Sequence, residues 1–215
     1  MSCVLVSACS SPETNAPTGG DTSQAANALP SVDEAELADN PFRQDWQTPF
    51  GVPPFAEIED DDYMPAISKA IEELRSEISA ITAITSEPTF ENTILALELA
   101  GSPLDKVAYT FNNVTNTDSN DMLRELETQI FPLLTREFDA IVLNEVLYER
   151  VKTVYDARDE LDLDEQQARL LELTHRRFVR AGAIFAPEVK ERVAEINSEI
   201  SGLNTQFAQN LLLET

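Results

Sequence analysis

The sequence predicts an all-α fold behind an unstructured N-terminal tether. Glycine is scarce, at 6 of 215 residues, whereas strong helix formers such as Leu, Ala and Glu are frequent. From Ile67 onward, apolar residues recur at spacings of three and four, the period of one helix face, and no segment has a convincing strand pattern. Residues 10–40 contain no aromatic side chain and are rich in Ser, Thr, Pro, Asn and Asp, which is the composition of a disordered linker.

Residues 1–9 contain a partial lipoprotein-type signal segment. Val6-Ser7-Ala8-Cys9 resembles the bacterial lipobox, in which small residues precede a cysteine that is lipidated and becomes the mature N-terminus. We therefore predict Cys9 as the lipidation site and a periplasmic or membrane-anchored protein in a bacterium. The segment lacks a Lys or Arg before Cys9, and its apolar run is shorter than the usual ~7–15 residues. A cytoplasmic location with a chance match is the alternative.

Residues 41–61 are predicted to form an extended arm that packs on the folded body. Aromatic side chains begin at Phe42 and Trp46 and are interspersed with prolines. Proline disfavours helical backbone in the residue before it, so this stretch does not read as a helix. The helical region then covers residues 62–215.

Caps and apolar periodicity locate the helices within residues 62–215. Predicted N-terminal caps are Asp61 or Asp62, Thr89, Asn144, and Asp162 or Asp164, while Ser102-Pro103 and Pro187 open two further helices. Gly101 is predicted to end the helix that follows Thr89. Residues 112–121 are predicted as a polar turn. A longer helix follows, in which Pro132 predicts a kink or a break.

The last helix is predicted to carry an unpartnered apolar face. Its apolar residues follow one another at spacings of 4-3-4-3-4-4, nearly a heptad repeat. These residues, called the apolar seam below, are Val189, Val193, Ile196, Ile200, Leu203, Phe207 and Leu211. No glycine cap and no basic last turn follows them, so we expect the helical region to be truncated at its C-terminal end, with the seam exposed.

The helical region contains no recognisable catalytic or metal-binding motif. His175 is the only histidine, whereas a His-Glu-x-x-His zinc motif and a pair of Glu-x-x-His di-iron motifs each need two. We interpret His175 as a packing or hydrogen-bonding residue. The acidic run at residues 59–62 lacks the spacing of a calcium loop and is interpreted as a solvated helix N-terminus. The basic cluster at residues 175–180 is interpreted as a helix surface paired with glutamates. No catalytic or metal-ligating residue is therefore predicted.

The charge balance excludes several function classes. Fifteen basic and 39 acidic residues give a net charge of −24. Nucleic acids and anionic lipid headgroups both require a basic surface, so neither is expected as a partner. No run approaches the ~20 apolar residues of a transmembrane helix, so we expect membrane contact only through the lipid anchor. The charge indicates high solubility, with a preference for cationic peptides as the alternative.

Several stretches form a characteristic series when they are taken in order. They are Pro54–Ile58 with Tyr63–Ala66, Pro88–Ile94 followed by Ala96–Glu98 and Gly101, Phe178–Ala183, Lys190–Arg192, Ile196-Asn197, and Leu203 with Phe207–Leu211. In this order they resemble the thimet oligopeptidase family of zinc metallopeptidases, in its bacterial peptidyl-dipeptidase branch. The resemblance runs from about residue 40 to the end.

The resemblance implies an all-helical, two-lobed zinc peptidase in which residues 62–215 form the N-terminal lobe and one wall of a channel for short peptides. It implies Zn²⁺ in the parent enzyme, held by two histidines and a glutamate elsewhere, with none expected in this chain. The full-length enzyme is expected to be a monomer that removes dipeptides or cleaves oligopeptides, while the 215-residue chain alone is expected to be inactive. The alternative is a non-catalytic helical binding or scaffold lipoprotein.

Overall fold

The computed structural model describes residues 29–30, 32 and 37–214, with side chains described as far as residue 211. Within this part the protein has seven α-helices and no strand, so the predicted all-α fold is confirmed. The helices are α1 (Tyr63–Thr82), α2 (Ala96–Leu99), α3 (Ser102–Thr117), α4 (Asp121–Val142), α5 (Glu145–Asp156), α6 (Glu165–Ala181) and α7 (Pro187–Glu214). A π-helical turn at Phe90–Leu95 leads directly into α2.

Three of the predicted caps are formed by local hydrogen bonds, whereas Asp62 precedes α1 without a side-chain cap bond, so that predicted cap is wrong. The Thr89 hydroxyl accepts from the Asn92 backbone N–H at 3.1 Å, and the Asn144 side chain accepts from the N–H of Leu147 at 2.9 Å. Asp164 rather than Asp162 caps α6, since its carboxylate accepts from two backbone N–H groups in the first turn. These caps satisfy donors that a helix start otherwise leaves unpaired.

One sequence-based expectation about helix interruptions is wrong. Residues 112–121 do not form one polar turn, because α3 continues to Thr117 and only residues 118–120 connect it to α4. In that last turn the hydroxyl of Thr117 donates to the Asn113 carbonyl at 2.8 Å, and Thr115 is buried. Polar turn formers therefore stay helical here, since their side chains bond back to the helix and one of them packs inside.

Pro132 does not break α4, which runs uninterrupted from Asp121 to Val142. Ile130, Leu133 and Leu134 are buried around the proline. A proline inside a helix costs about 3 kcal/mol, and burial of three large aliphatic side chains at ~1.5–3 kcal/mol each offsets it. The kink stays a prediction.

The arm at residues 41–61 packs on the body, and three short 3₁₀ turns lie along it, at Pro41–Arg43, Pro49–Gly51 and Asp60–Asp62. A continuous series of ring contacts joins it to the core: successive centroids of Trp46, Phe42, Tyr63, Phe111 and Phe131 are 6.1, 5.4, 5.0 and 5.7 Å apart. Burial, together with two nearby aspartates, raises the pKa of Tyr63 to about 12. Rings at these separations contribute beyond their buried area, so the arm is part of the folded unit.

The helices pack in pairs around one core: α1 lies against α3, α5 against α6, and α4 against α7. Two arginines tie the pairs together across long stretches of sequence. Arg75 of α1 forms a bidentate pair with the carboxylate of Glu137 on α4, at 2.8 and 2.5 Å. Arg150 of α5 is buried and donates to the Ile84 carbonyl and to the side chains of Asn92 and Thr93. The buried Arg150 guanidinium therefore joins α5 to the π-helical turn.

Candidate functional site

His175 lies on α6 and packs against an aromatic ring. Its imidazole stacks on the ring of Tyr155 with centroids 3.8 Å apart and planes 5° apart, and Tyr148 lies 6.3 Å away. Partial burial lowers the pKa of His175 below its usual value, although Asp156 opposes the shift. The predicted packing role is confirmed: this histidine joins α5 to α6 through ring stacking.

The charged clusters singled out in the sequence pair with their neighbours. In the acidic run, Asp60 accepts from the Asn120 side chain at 2.8 Å and Asp62 accepts from the Glu59 backbone N–H at 2.8 Å. On α6, Glu172 accepts from Arg169 at 2.6 Å and from Arg176 at 3.2 Å. The interpretation of the basic cluster as a helix surface paired with glutamate holds for Arg176.

A cleft of about 270 Å³ opens between α3, α4 and α6 and combines a charged rim with an apolar floor. Its lining includes the carboxylates of Glu98 and Asp105, the Arg177 guanidinium, and apolar side chains that include Leu74 and Phe178. Partial desolvation raises the pKa of the Asp105 carboxyl, and the charge of Arg177 opposes that rise. A cleft with both signs of charge beside apolar surface suits a peptide-like ligand, but its lining contains no nucleophilic cysteine and no histidine.

A second, wider groove of about 650 Å³ lies between α4 and α7, near the end of α3. Its lining is rich in carboxamides and apolar side chains: Asn112, Asn116, Asn197, Asn204, Phe131, Leu134, Phe138 and Ile200. Carboxamides both donate and accept hydrogen bonds, as a peptide backbone requires, and the apolar side chains offer surface to bury. The groove is therefore compatible with an extended peptide.

Helix α7 contacts α4 through a row of polar residues, which we call the polar row: Asn197, Ser201, Thr205 and Gln209. Their spacing of four places them on one side of the helix. Asn197 donates from Nδ2 to both carboxylate oxygens of Asp139 at 3.0 Å, and Thr135 donates to the Ser201 hydroxyl at 3.0 Å. Gln209 donates to the Arg124 carbonyl at 2.7 Å. Later residues of the polar row contact earlier residues of α4, so the two helices are antiparallel.

The apolar seam lies on a different side of α7 and is largely exposed. Val189, Ile196, Ile200, Leu203 and Phe207 are between 38% and 69% exposed. The expectation that the last helix exposes an apolar face is confirmed. Such a surface on a helix marks a contact site more often than a solvated one.

Cys9 and the linker at residues 10–36 lie outside the described residues, except for 29, 30 and 32. Over the described part of the chain, no three His, Cys, Asp or Glu side chains are grouped as a metal site would require. None of the helices described here has both the length and the apolar character to cross a bilayer.

Sequence reasoning missed the cleft at Asp105 and Arg177 and the polar row. The cleft could not be found, because Asp105 and Arg177 are 72 positions apart and line one cleft only in the folded chain. The polar row did leave a signal. Polar residues at a strict spacing of four, beside an apolar seam on the same helix, indicate a second contact face.

Comparison with known proteins shows that most of the chain is similar to part of several peptidases. It is 38% identical over 173 residues to dipeptidyl carboxypeptidase of Escherichia coli, a match that covers 80% of this chain and 25% of that protein. It is 26% identical over 165 residues to oligopeptidase A of the same organism, covering 77% of this chain and 24% of the relative. An organellar oligopeptidase A of Arabidopsis thaliana is 24% identical over 181 residues, with 84% and 22% covered. No family model matches.

The chain therefore spans about a quarter of the length of the curated relatives it matches. The sequence resemblance to this peptidase family is confirmed, and dipeptidyl carboxypeptidases and oligopeptidases A are its homologues.

Proposed function

Because these homologues are peptidases, we propose that the chain is the N-terminal part of a longer zinc metallopeptidase that hydrolyses peptide bonds in short peptides. The observation that carries the proposal is the 38% identity to dipeptidyl carboxypeptidase over 173 residues, which covers most of the folded region. Removal of dipeptides and cleavage of oligopeptides are both compatible with the names of the relatives.

The proposed role of this region is to form one wall of a channel that admits peptides. The groove between α4 and α7 and the cleft beside α6 support it, since both combine apolar surface with hydrogen-bonding side chains. A wall of packed helices would let extended peptides pass and exclude folded proteins, which are too wide.

Zinc, in this proposal, belongs to the rest of the longer polypeptide. The Glu172-x-x-His175 pair is engaged elsewhere: His175 is stacked on Tyr155, and Glu172 is paired with two arginines. Their surroundings do not fit a catalytic metal, so the chain's own residues are proposed to bind and confine the peptide rather than to activate water.

The decisive experiment uses the DNA and the encoded protein together. We expect the reading frame to continue beyond residue 215 and to encode a His-Glu-x-x-His motif. The longer product should hydrolyse short peptides, lose activity with a chelator and regain it with zinc, and the 215-residue chain should show no turnover. A stop codon with no such frame downstream would favour the helical scaffold lipoprotein, and chelator-sensitive turnover by the 215-residue chain would contradict the proposed division of roles.

We also propose that Cys9 is lipidated and that residues 10–40 tether the folded region to a membrane outside the cytoplasm. The support is the Val6–Cys9 pattern and the composition of the linker. Cells fed a radiolabelled fatty acid should label the wild-type protein and the Cys3→Ala control but not the Cys9→Ala variant. Equal labelling of both variants, or none in the wild type, would refute it.

A further inference from the structure

Helix α7 uses its polar side to join the protein and leaves its apolar side outward. The polar row faces α4, and Thr205, in the middle of the row, is only 7% exposed. Leu203 and Phe207, two residues before and after it, are 56% and 69% exposed. A surface helix of a complete globular unit buries its apolar stripe and presents polar residues to water. Here the arrangement is reversed, so the apolar side is exposed at Leu203 and Phe207 in the described structure.

The charge distribution along α7 marks the same region. Residues 200–213 contain no charged side chain, although 25% of the whole chain is charged, so about three would be expected in a stretch of this length. Depletion of charge is the compositional mark of an interface centre, whereas solvated helix faces are rich in Lys and Glu. The N-terminal half of α7, by contrast, carries four glutamates, one lysine and one arginine. The surface around Ile200, Leu203 and Phe207 therefore has the composition of a buried interface.

The spacing of the apolar seam specifies the shape of the partner. Its nearly heptad repeat matches the period with which two helices pack side chains into each other's gaps over several turns. A globular patch or an extended strand would not require that repeat. The residues flanking the seam in the C-terminal half are uncharged, including Asn204 and Gln206, so no charge on the partner is needed there.

Two other occupants fit less well. A second copy of the chain would pair two proteins that each have a net charge of −24, and like charges disfavour association. A membrane surface favours helices with Lys and Arg beside the apolar face, which residues 200–213 lack. A segment of the same polypeptide is favoured, because it is held at high local concentration and the curated relatives are about four times as long as the matched region.

We propose that the apolar seam of α7 is the docking surface for an amphipathic helix from the remaining part of the longer polypeptide, and that this contact joins the N-terminal lobe to the rest of the enzyme. The inference rests on the proposed function, since it requires that longer chain. On this reading α7 is shared: its polar row belongs to the N-terminal lobe, and its seam belongs to the interface.

Cysteine labelling tests the contact without reference to activity. The Phe207→Cys variant is prepared in the 215-residue chain and in the longer protein, both with Cys3→Ser and Cys9→Ser. The matched control is Val146→Cys on α5, where the native valine is 53% exposed. We expect a thiol reagent to react with the Phe207→Cys variant about tenfold or more slowly in the longer protein than in the 215-residue chain, because a docked surface must open before it reacts. The control should react equally in both.

Equal rates for the Phe207→Cys variant in the two proteins, or equal protection at both sites, overturn the proposal. Protection in the 215-residue chain that grows with its own concentration identifies a second copy as the occupant and also overturns it. Peptide hydrolysis by the longer protein is measured separately. Activity without protection refutes the docking and leaves the function, whereas protection without activity refutes the function and leaves the docking.

Discussion

Removal of Arg75 should destabilise the protein far more than removal of an arginine whose ion pair is exposed to solvent, such as Arg192. The Arg75 guanidinium makes two charge-assisted hydrogen bonds to Glu137, and it is the link between α1 and α4. The side chain of Glu137 is only 9% exposed, while that of Arg75 is 43% exposed. The two partners therefore differ in what their loss leaves behind.

In the Arg75→Ala variant a buried carboxylate has lost both hydrogen bonds to the guanidinium. Hydrogen bonds to charged groups contribute ~1.5–3 kcal/mol each, and breaking a buried pair costs ~3–5 kcal/mol. Because Arg75 is partly solvated, we expect the lower end, about 3 kcal/mol. For a chain of this size that corresponds to a fall in Tm of about 6–12 °C.

In the Glu137→Ala variant the guanidinium is left, and it can turn towards water. The expected loss is therefore smaller, about 1–2 kcal/mol. Replacement of both partners by apolar residues of similar length, Arg75→Met with Glu137→Leu, should restore most of the stability, since no unpaired charge remains. The order Arg75→Ala, then Glu137→Ala, then the double variant is the central expectation.

Urea unfolding followed by far-UV circular dichroism measures these free energies. The control is Arg192→Ala, because the pair of Arg192 with Glu195 is exposed on both sides, at 64% and 65%. Its loss should change the free energy of unfolding by less than about 0.5 kcal/mol. If Arg75→Ala costs no more than Arg192→Ala, or less than Glu137→Ala, the assignment of a buried carboxylate held by Arg75 is wrong.

Three further expectations concern single positions. Asn197→Ala removes both hydrogen bonds to Asp139, whose pKa is raised by burial. This variant should lower the free energy of unfolding by about 1–3 kcal/mol and speed amide hydrogen exchange in α7. Unchanged exchange would contradict the role of the polar row. Gly202→Ala, where nothing lies within 4 Å of the added Cβ, should stabilise the protein by about 0.5–1 kcal/mol in thermal unfolding. Gly101→Ala should instead destabilise it, because φ is +82° and the Cβ would meet a leucine carbon at 3.2 Å; the same sign for both glycines would refute this. Because the pKa of His175 is lowered in the folded state, protonation favours the unfolded chain as the pH falls below 6.5, and stability decreases there. Urea unfolding at several pH values should show this loss in the wild type and less of it in His175→Phe, and parallel profiles would contradict it.

The sequence alone predicted the helices where the determinants are local. Thr89, Asn144 and Asp164 cap helices because their side chains reach a backbone N–H two or three residues away, and that geometry does not depend on the rest of the fold. Gly101 lies between α2 and α3 and precedes the first residue of α3, and its positive φ is accessible mainly to glycine.

Local signals failed where packing overruled them. The polar stretch after Phe111 has turn-forming composition, yet α3 continues because Thr115 is buried and neighbouring side chains bond to helix carbonyls. Pro132 is a helix breaker by its chemistry, yet α4 continues because its aliphatic neighbours are held in the core. In both cases burial contributes more free energy than the local preference.

For α7, the sequence by itself determined where the apolar seam lies, since a repeat of three and four residues is a property of one helix. Only the tertiary structure decided which side of that helix faces the protein. The contacts between the polar row and α4 join residues 58 to 85 positions apart, and no local pattern specifies such pairs. Hydrogen bonds to Asp139, Thr135 and the Arg124 carbonyl orient α7, and that orientation leaves the seam exposed.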